Sequence, residues 1–143
     1  MMNCLNDFHY YIGETIMFCQ CIERDIKFIY AGMLNGDFDK DYEDIQKWTL
    51  GQTVSKLQDL DNSDNNPYLH KKDYELLRQI TRIRNHWAHE AYTYFIYESD
   101  FENSPDFNKQ ANRLINDNNR LSKLSDIIEK VRLEVLTEYG RIK

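Results

Sequence analysis

The chain has 143 residues, 41% apolar and 29% charged, and its 24 acidic against 18 basic residues leave a formal charge of −6. That length accommodates one domain, residues 1–143, with a real core and no need of disulfides or a structural metal, and the acidic balance excludes a protein that coats nucleic acid or an anionic membrane by bulk attraction. No apolar run approaches the roughly 18 residues of a membrane span, and Cys4, Cys19 and Cys21 follow no secretory segment, so the expected setting is the reducing cytoplasm.

Only five glycines and two prolines interrupt the chain, which favours long helices. Residues 5–34 repeat apolar side chains at helical spacing, through Phe8, Ile12, Ile16, Cys19, Ile22, Ile26, Ile29 or Tyr30, and Met33, and stop at Asn35-Gly36. Cys19 and Cys21 lie about 200° apart on that helix, which suits neither a disulfide nor a zinc pair. In the acidic loop that follows, Asp37, Asp39 and Asp41 alternate as in a calcium loop. The glycine that such a loop needs is replaced by Tyr42, and Trp48 stands where the bidentate glutamate belongs, so no metal is expected there.

A second helix is predicted over residues 42–60, with Tyr42, Ile45, Thr49, Thr53, Leu57 and Leu60 inward. The turn formers of Asp-Asn-Ser-Asp-Asn-Asn-Pro, residues 61–67, read as a surface loop. A third helix is predicted over residues 72–97, ended by the acidic turn stretch 98–106, and a last one over residues 107–139. The last stripe is Ala111, Leu114, Asn118, Leu121, Leu124, Ile128, Val131 and Val135. Single apolar stripes on helices of this length must be buried together, so the expected fold is all-α, an antiparallel up-and-down four-helix bundle with long first, third and last helices.

The third helix breaks its own pattern. Its stripe of Leu76, Leu77, Ile80, Ile83, Trp87, Ala88 and Ala91 contains Arg84. A guanidinium there needs a carboxylate, a ligand or a wet cleft, because its desolvation otherwise costs several kcal/mol. Glu23 is the matching irregularity on the first helix. The two charges form either a salt bridge that only fixes helix register or a pair in which Glu23 orients Arg84 towards a cleft.

Asn85 and His89, four residues apart, share a ridge beside that stripe, and Lys71, Arg78, Arg82 and His86 fall within about 60° of His89 as a basic ribbon suited to RNA backbone. Histidine gives and takes protons near neutrality, and arginine grips phosphate with parallel donors. That inventory fits RNA cleavage by attack of a ribose 2′-hydroxyl on the adjacent phosphorus, with no metal and no cofactor. The chain has no HExxH spacing and no Gly-rich phosphate loop.

Arg84-Asn85-His86-Trp87-Ala88-His89, on the third helix of a small all-helical chain, resembles the Arg-Asn-x-x-x-His motif of the HEPN superfamily. The resemblance spans the helical pattern of nearly the whole chain, and the motif itself spans six residues. It implies a metal-independent endoribonuclease of the toxin or abortive-infection type, working as a homodimer whose motif residues line a shared cleft. Arg84 and His89 would be catalytic, Asn85 would position them, and Glu23 and Tyr92 would support them. RNA is the implied substrate, and no DNA partner is expected. A cognate antitoxin is implied as well. Superfamily toxins paired with a nucleotidyltransferase antitoxin often carry a tyrosine two residues after the histidine, where this chain has Ala91 followed by Tyr92, which counts against that antitoxin type unless Tyr92 or Tyr94 takes the tyrosine's place. Two alternatives stand beside the nuclease: a non-catalytic module that holds a nucleotide or a partner's acidic group at Arg84, and a structural antitoxin or immunity subunit.

Overall fold

A computed structural model describes residues 2–141. It contains α1 (Leu5–Met33), α2 (Phe38–Asp44), α3 (Leu50–Asp61), α4 (Lys71–Leu77), α5 (Ile80–His89) and α6 (Pro105–Glu138), and no strand among the described residues. The all-helical class therefore holds.

The two long helices form the spine. On α1 the predicted stripe is buried at Phe8, Ile12, Cys19, Ile22, Ile26 and Ile29. On α6 every predicted inward position from Ala111 to Val135 is buried. Ser104 caps α6 by accepting from Phe107 N, and Pro105 occupies the first turn, where its missing N–H costs nothing. Cys4 gives α1 no side-chain cap, and the Glu102 carboxylate instead accepts from Leu5 N at 2.7 Å. At the far end Gly32 permits close approach, since a Cβ there would sit 3.1 Å from Val135 Cγ1 and 3.2 Å from Leu136 Cδ2.

Three expectations are corrected. The second helix is two helices. Asp37 caps α2 by accepting from Lys40 N, which places Asp39 and Asp41 in a first turn favourable to acids. Thr49 and Gln52 then form a reciprocal capping box that starts α3 afresh. Thr49 is consequently an exposed cap and not a core residue.

The third helix is also divided. At Arg78-Gln79 the backbone tightens, with Gln79 N donating to Leu76 O at 2.9 Å, and α5 begins at Ile80. Beyond His89 regular helix gives way to turns over 90–97, closed by short-range bonds such as Thr93 N to Glu90 O and Glu98 N to Phe95 O. The run Tyr-Thr-Tyr-Phe-Ile-Tyr is β-branched and aromatic, and such residues are weak helix formers. What holds it is packing: Phe95 lies 5.3 Å from Phe8, 5.4 Å from Phe101 and 5.0 Å from Phe107, ring centre to ring centre.

Nor do the helices alternate strictly up and down. Phe8 meets Phe107, Thr15 meets Asn118 and Asp25 meets Arg132, so α1 and α6 run in the same direction. The first and last helices of an up-and-down four-helix bundle would oppose each other. The reason is the shortness of α3, 12 residues or about 18 Å. Segment 46–68 begins against Lys27 and Tyr30 and ends against Glu138, all at one end of the molecule. The return pass is made by α4 and α5, which oppose both long helices: Glu23 meets Arg84 while His9 meets Tyr92, and Gln79 meets Arg120 while His86 meets Gln110.

Candidate functional site

Helix α5 sits between α1 and α6 and turns its motif residues to different sides. Trp87 anchors it. Its ring is buried, its indole N–H donates to the buried Asp117 carboxylate at 2.9 Å, and Phe8 meets it edge-on. Arg120 lies 3.6 Å from the same carboxylate, so Asp117 is doubly compensated.

Arg84 faces α1. Its Nη1 lies 2.7 Å from Glu23 Oε2, and the two side chains retain 31% and 26% of their exposure. The pair is thus neither fully buried nor on the open surface. One guanidinium edge is fixed, and the remainder reaches solvent.

Asn85 is exposed on the other flank. It lines an open groove of about 550 Å³ between α5 and α6, together with Arg78, Thr81, Arg82, His86, Glu90 and Arg113. His89, the last residue of α5, is exposed, and so is Ala88, which the periodicity had predicted to face the core. No hydrogen bond links Arg84, Asn85 and His89 among the described residues. One copy of the chain therefore pairs Glu23 with Arg84 but does not gather the three motif side chains into a single pocket.

The predicted basic ribbon is reorganised. Lys71 opens α4 in a separate depression with Gln58, His70 and Tyr74, because the break at Arg78-Gln79 interrupts the helical register. His86 is buried, which corrects its expected place on a solvated face. Its Nε2 shares a hydrogen bond of 3.1 Å with Gln110 Oε1, and its Nδ1 lies 3.8 Å from the Glu90 carboxylate. Arg78 donates to Gln58 Oε1, and Arg82 is exposed.

Tyr92 is half-buried between α1 and the turns after α5. Its hydroxyl shares a hydrogen bond of 2.6 Å with His9 Nδ1, and burial raises its phenol above the ordinary value. Periodicity reveals neither His9 nor Arg113, because each meets this region from another helix. Arg113 comes from α6, with its guanidinium 5.8 Å from the Trp87 ring centre.

The cysteines are free: Cys19 is buried, Cys4 half-buried and Cys21 exposed. Burial pushes the Cys19 thiol up to about 12, which makes it inert as a nucleophile at neutral pH. Among the described residues no group of three His, Cys, Asp or Glu side chains is placed to hold a metal ion, and no helix is long and apolar enough to cross a membrane. Comparison with known protein families, curated proteins and solved structures finds no match to the chain.

Proposed function

We propose that this chain is a metal-independent endoribonuclease, resembling HEPN toxins, whose active site is completed when two copies associate. The observation that carries the reading is the partly exposed Glu23–Arg84 pair, with one guanidinium nitrogen held at 2.7 Å from the carboxylate. A fixed arginine with free outward donors suits the non-bridging oxygens of a phosphate as charge builds on them.

In the reaction the ribose 2′-oxygen bonds to phosphorus and the bond from phosphorus to the 5′-oxygen breaks. His89 of one copy takes the 2′ proton, and the partner's His89 gives one to the leaving 5′-oxygen. The products are a 2′,3′-cyclic phosphate and a 5′-hydroxyl. Asn85 positions the group, and Tyr92 supports it through His9. Arg84 faces α1 while Asn85 and His89 stand exposed on another flank of α5, and a second copy would bring the missing groups to each site. A toxin or defence role in the cytoplasm, restrained by a cognate antitoxin, belongs to the same reading.

One observation favours a second reading. The groove that takes in Asn85 includes neither Arg84 nor His89, as suits a binding module that cuts nothing. Induced expression separates the two: growth arrest by the parent and not by His89→Ala supports the nuclease, and equal growth with both supports the module.

A further inference from the structure

We infer that the groove between α5 and α6 binds the phosphodiester backbone of single-stranded RNA through Arg78, Arg82 and Arg113, with Tyr94 as a stacking platform for a base at its edge. The identity of the strand rests on the ribonuclease reading, whereas the groove's binding chemistry does not require cutting.

The charge distribution is the first ground. The chain carries a formal charge of −6, and four arginines elsewhere in it have carboxylates within reach, Arg84 with Glu23, Arg120 with Asp117, and Arg24 and Arg132 with Asp25, whereas Arg141, far from the groove, lies over the Phe38 ring. Arg78, Arg82 and Arg113 form no ion pair among the described residues, although all three line one groove. The single carboxylate in that lining is Glu90, and it lies beside His86. Three uncompensated guanidinium groups around an open depression repel one another, and a polyanion relieves that repulsion.

The second ground is how these arginines are held. Arg78 donates to the neutral Gln58 amide, and Arg113 lies over the Trp87 ring, so both have defined positions without losing charge. Arg82 follows Arg78 by four residues across the break between α4 and α5, and both guanidinium groups line the same groove. Asn85 and Thr81 add neutral donors between them.

The third ground favours a nucleic acid strand over an acidic peptide. Tyr94 keeps 49% of its surface exposed, and its ring centre lies 6.1 Å from that of His86 in the groove lining. An exposed aromatic face next to a basic groove is the combination that binds single strands, because every base stacks while the backbone follows the cations.

The probe is a fluorescein-labelled 2′-O-methyl oligouridylate, which lacks the attacking hydroxyl and so reports binding alone by anisotropy. Three engaged phosphates give a log–log salt slope of about −2 between about 50 and 200 mM salt. Arg82→Gln, at an exposed position, should lower the magnitude of that slope by about 0.7. The triple variant Arg78→Gln, Arg82→Gln, Arg113→Gln should bind at least about tenfold more weakly with its helical circular dichroism intact, and Tyr94→Ala should lose about tenfold by stacking alone. Arg24→Gln, beside Asp25 and Phe28 and outside the groove lining, should bind like the parent.

Absence of saturable binding by the parent overturns the inference, as does an unchanged slope in Arg82→Gln. Displacement by ATP at a lower concentration than by unlabelled oligouridylate assigns the groove to a mononucleotide and also overturns it. Salt-dependent binding by a protein that cuts no RNA removes the nuclease reading and leaves the groove standing. Cutting by a protein whose Arg82→Gln variant binds normally does the reverse.

Discussion

The Arg84 guanidinium meets the Glu23 carboxylate at 2.7 Å and ties α5 to α1 in the middle of two otherwise apolar stripes. Both side chains are about a quarter to a third exposed, so solvent screens the attraction and the coupling in a double-mutant cycle of Glu23→Ala and Arg84→Ala is expected to be about 1 kcal/mol. On the functional side, Glu23→Gln should keep helical content and Tm close to the parent while RNA cleavage falls at least about tenfold, because an amide orients the guanidinium less firmly. Cleavage equal to the parent's would reduce the pair to a register lock.

Asp61 fixes the connection from α3 to α4. Its carboxylate accepts from Tyr68 N at 2.8 Å, Leu69 N at 3.1 Å and the buried Tyr74 hydroxyl at 2.6 Å, and burial with this bond drives the Tyr74 phenol well above its ordinary value. Asp61→Ala strands three donors and is expected to cost about 3 kcal/mol, read by urea denaturation, with early proteolysis in 62–70. A loss below about 1 kcal/mol would show that water or a neighbour replaces the carboxylate.

Asp25 gives a pH dependence with a defined sign. Burial raises its carboxyl above the ordinary value, against the opposing pull of Arg132 at 3.4 Å and Arg24 at 3.6 Å. The unfolded chain ionises this group near the ordinary value of about 3.9 and the folded chain higher. Its contribution to stability is therefore full below the unfolded value and lost as pH rises through the folded one. Asp25→Asn does not titrate, so its Tm relative to the parent should rise between about pH 3 and pH 7. A difference that stays constant, or falls, contradicts the assignment.

Much of the fold is legible where one physical signal dominates. The stripes of α1 and α6 are long and regular, and the side chains they select are buried except for Ile16 and Met33, which are half-buried. The break before α3 also has a sequence signature, Thr49-x-x-Gln52, but helical periodicity runs across a cap without registering it. The stretch after His89 continues the apolar spacing and therefore reads as helix, although its aromatic rings are held by Phe8, Phe101 and Phe107 in turns. Helix direction depends on how far each pass travels, which spacing does not encode.

The candidate site divides in the same way. Opposite charges in two apolar stripes identify Glu23 and Arg84 as partners, since each needs compensation that its own helix lacks. His86 has the helical angle of a surface residue but is covered by Gln110 of α6. His9, Gln110 and Arg113 reach the region across helix pairings that are specified only in three dimensions.

The measurement that bears most directly on the central claim is cleavage of a single-stranded RNA by the purified protein in EDTA, with product ends identified and His89→Ala run beside the parent. The account expects the parent to leave 2′,3′-cyclic phosphate and 5′-hydroxyl ends, and His89→Ala to keep its association state while losing at least about a hundredfold in rate. Cleavage by His89→Ala at the parent's rate, or no cleavage by the parent, would contradict it.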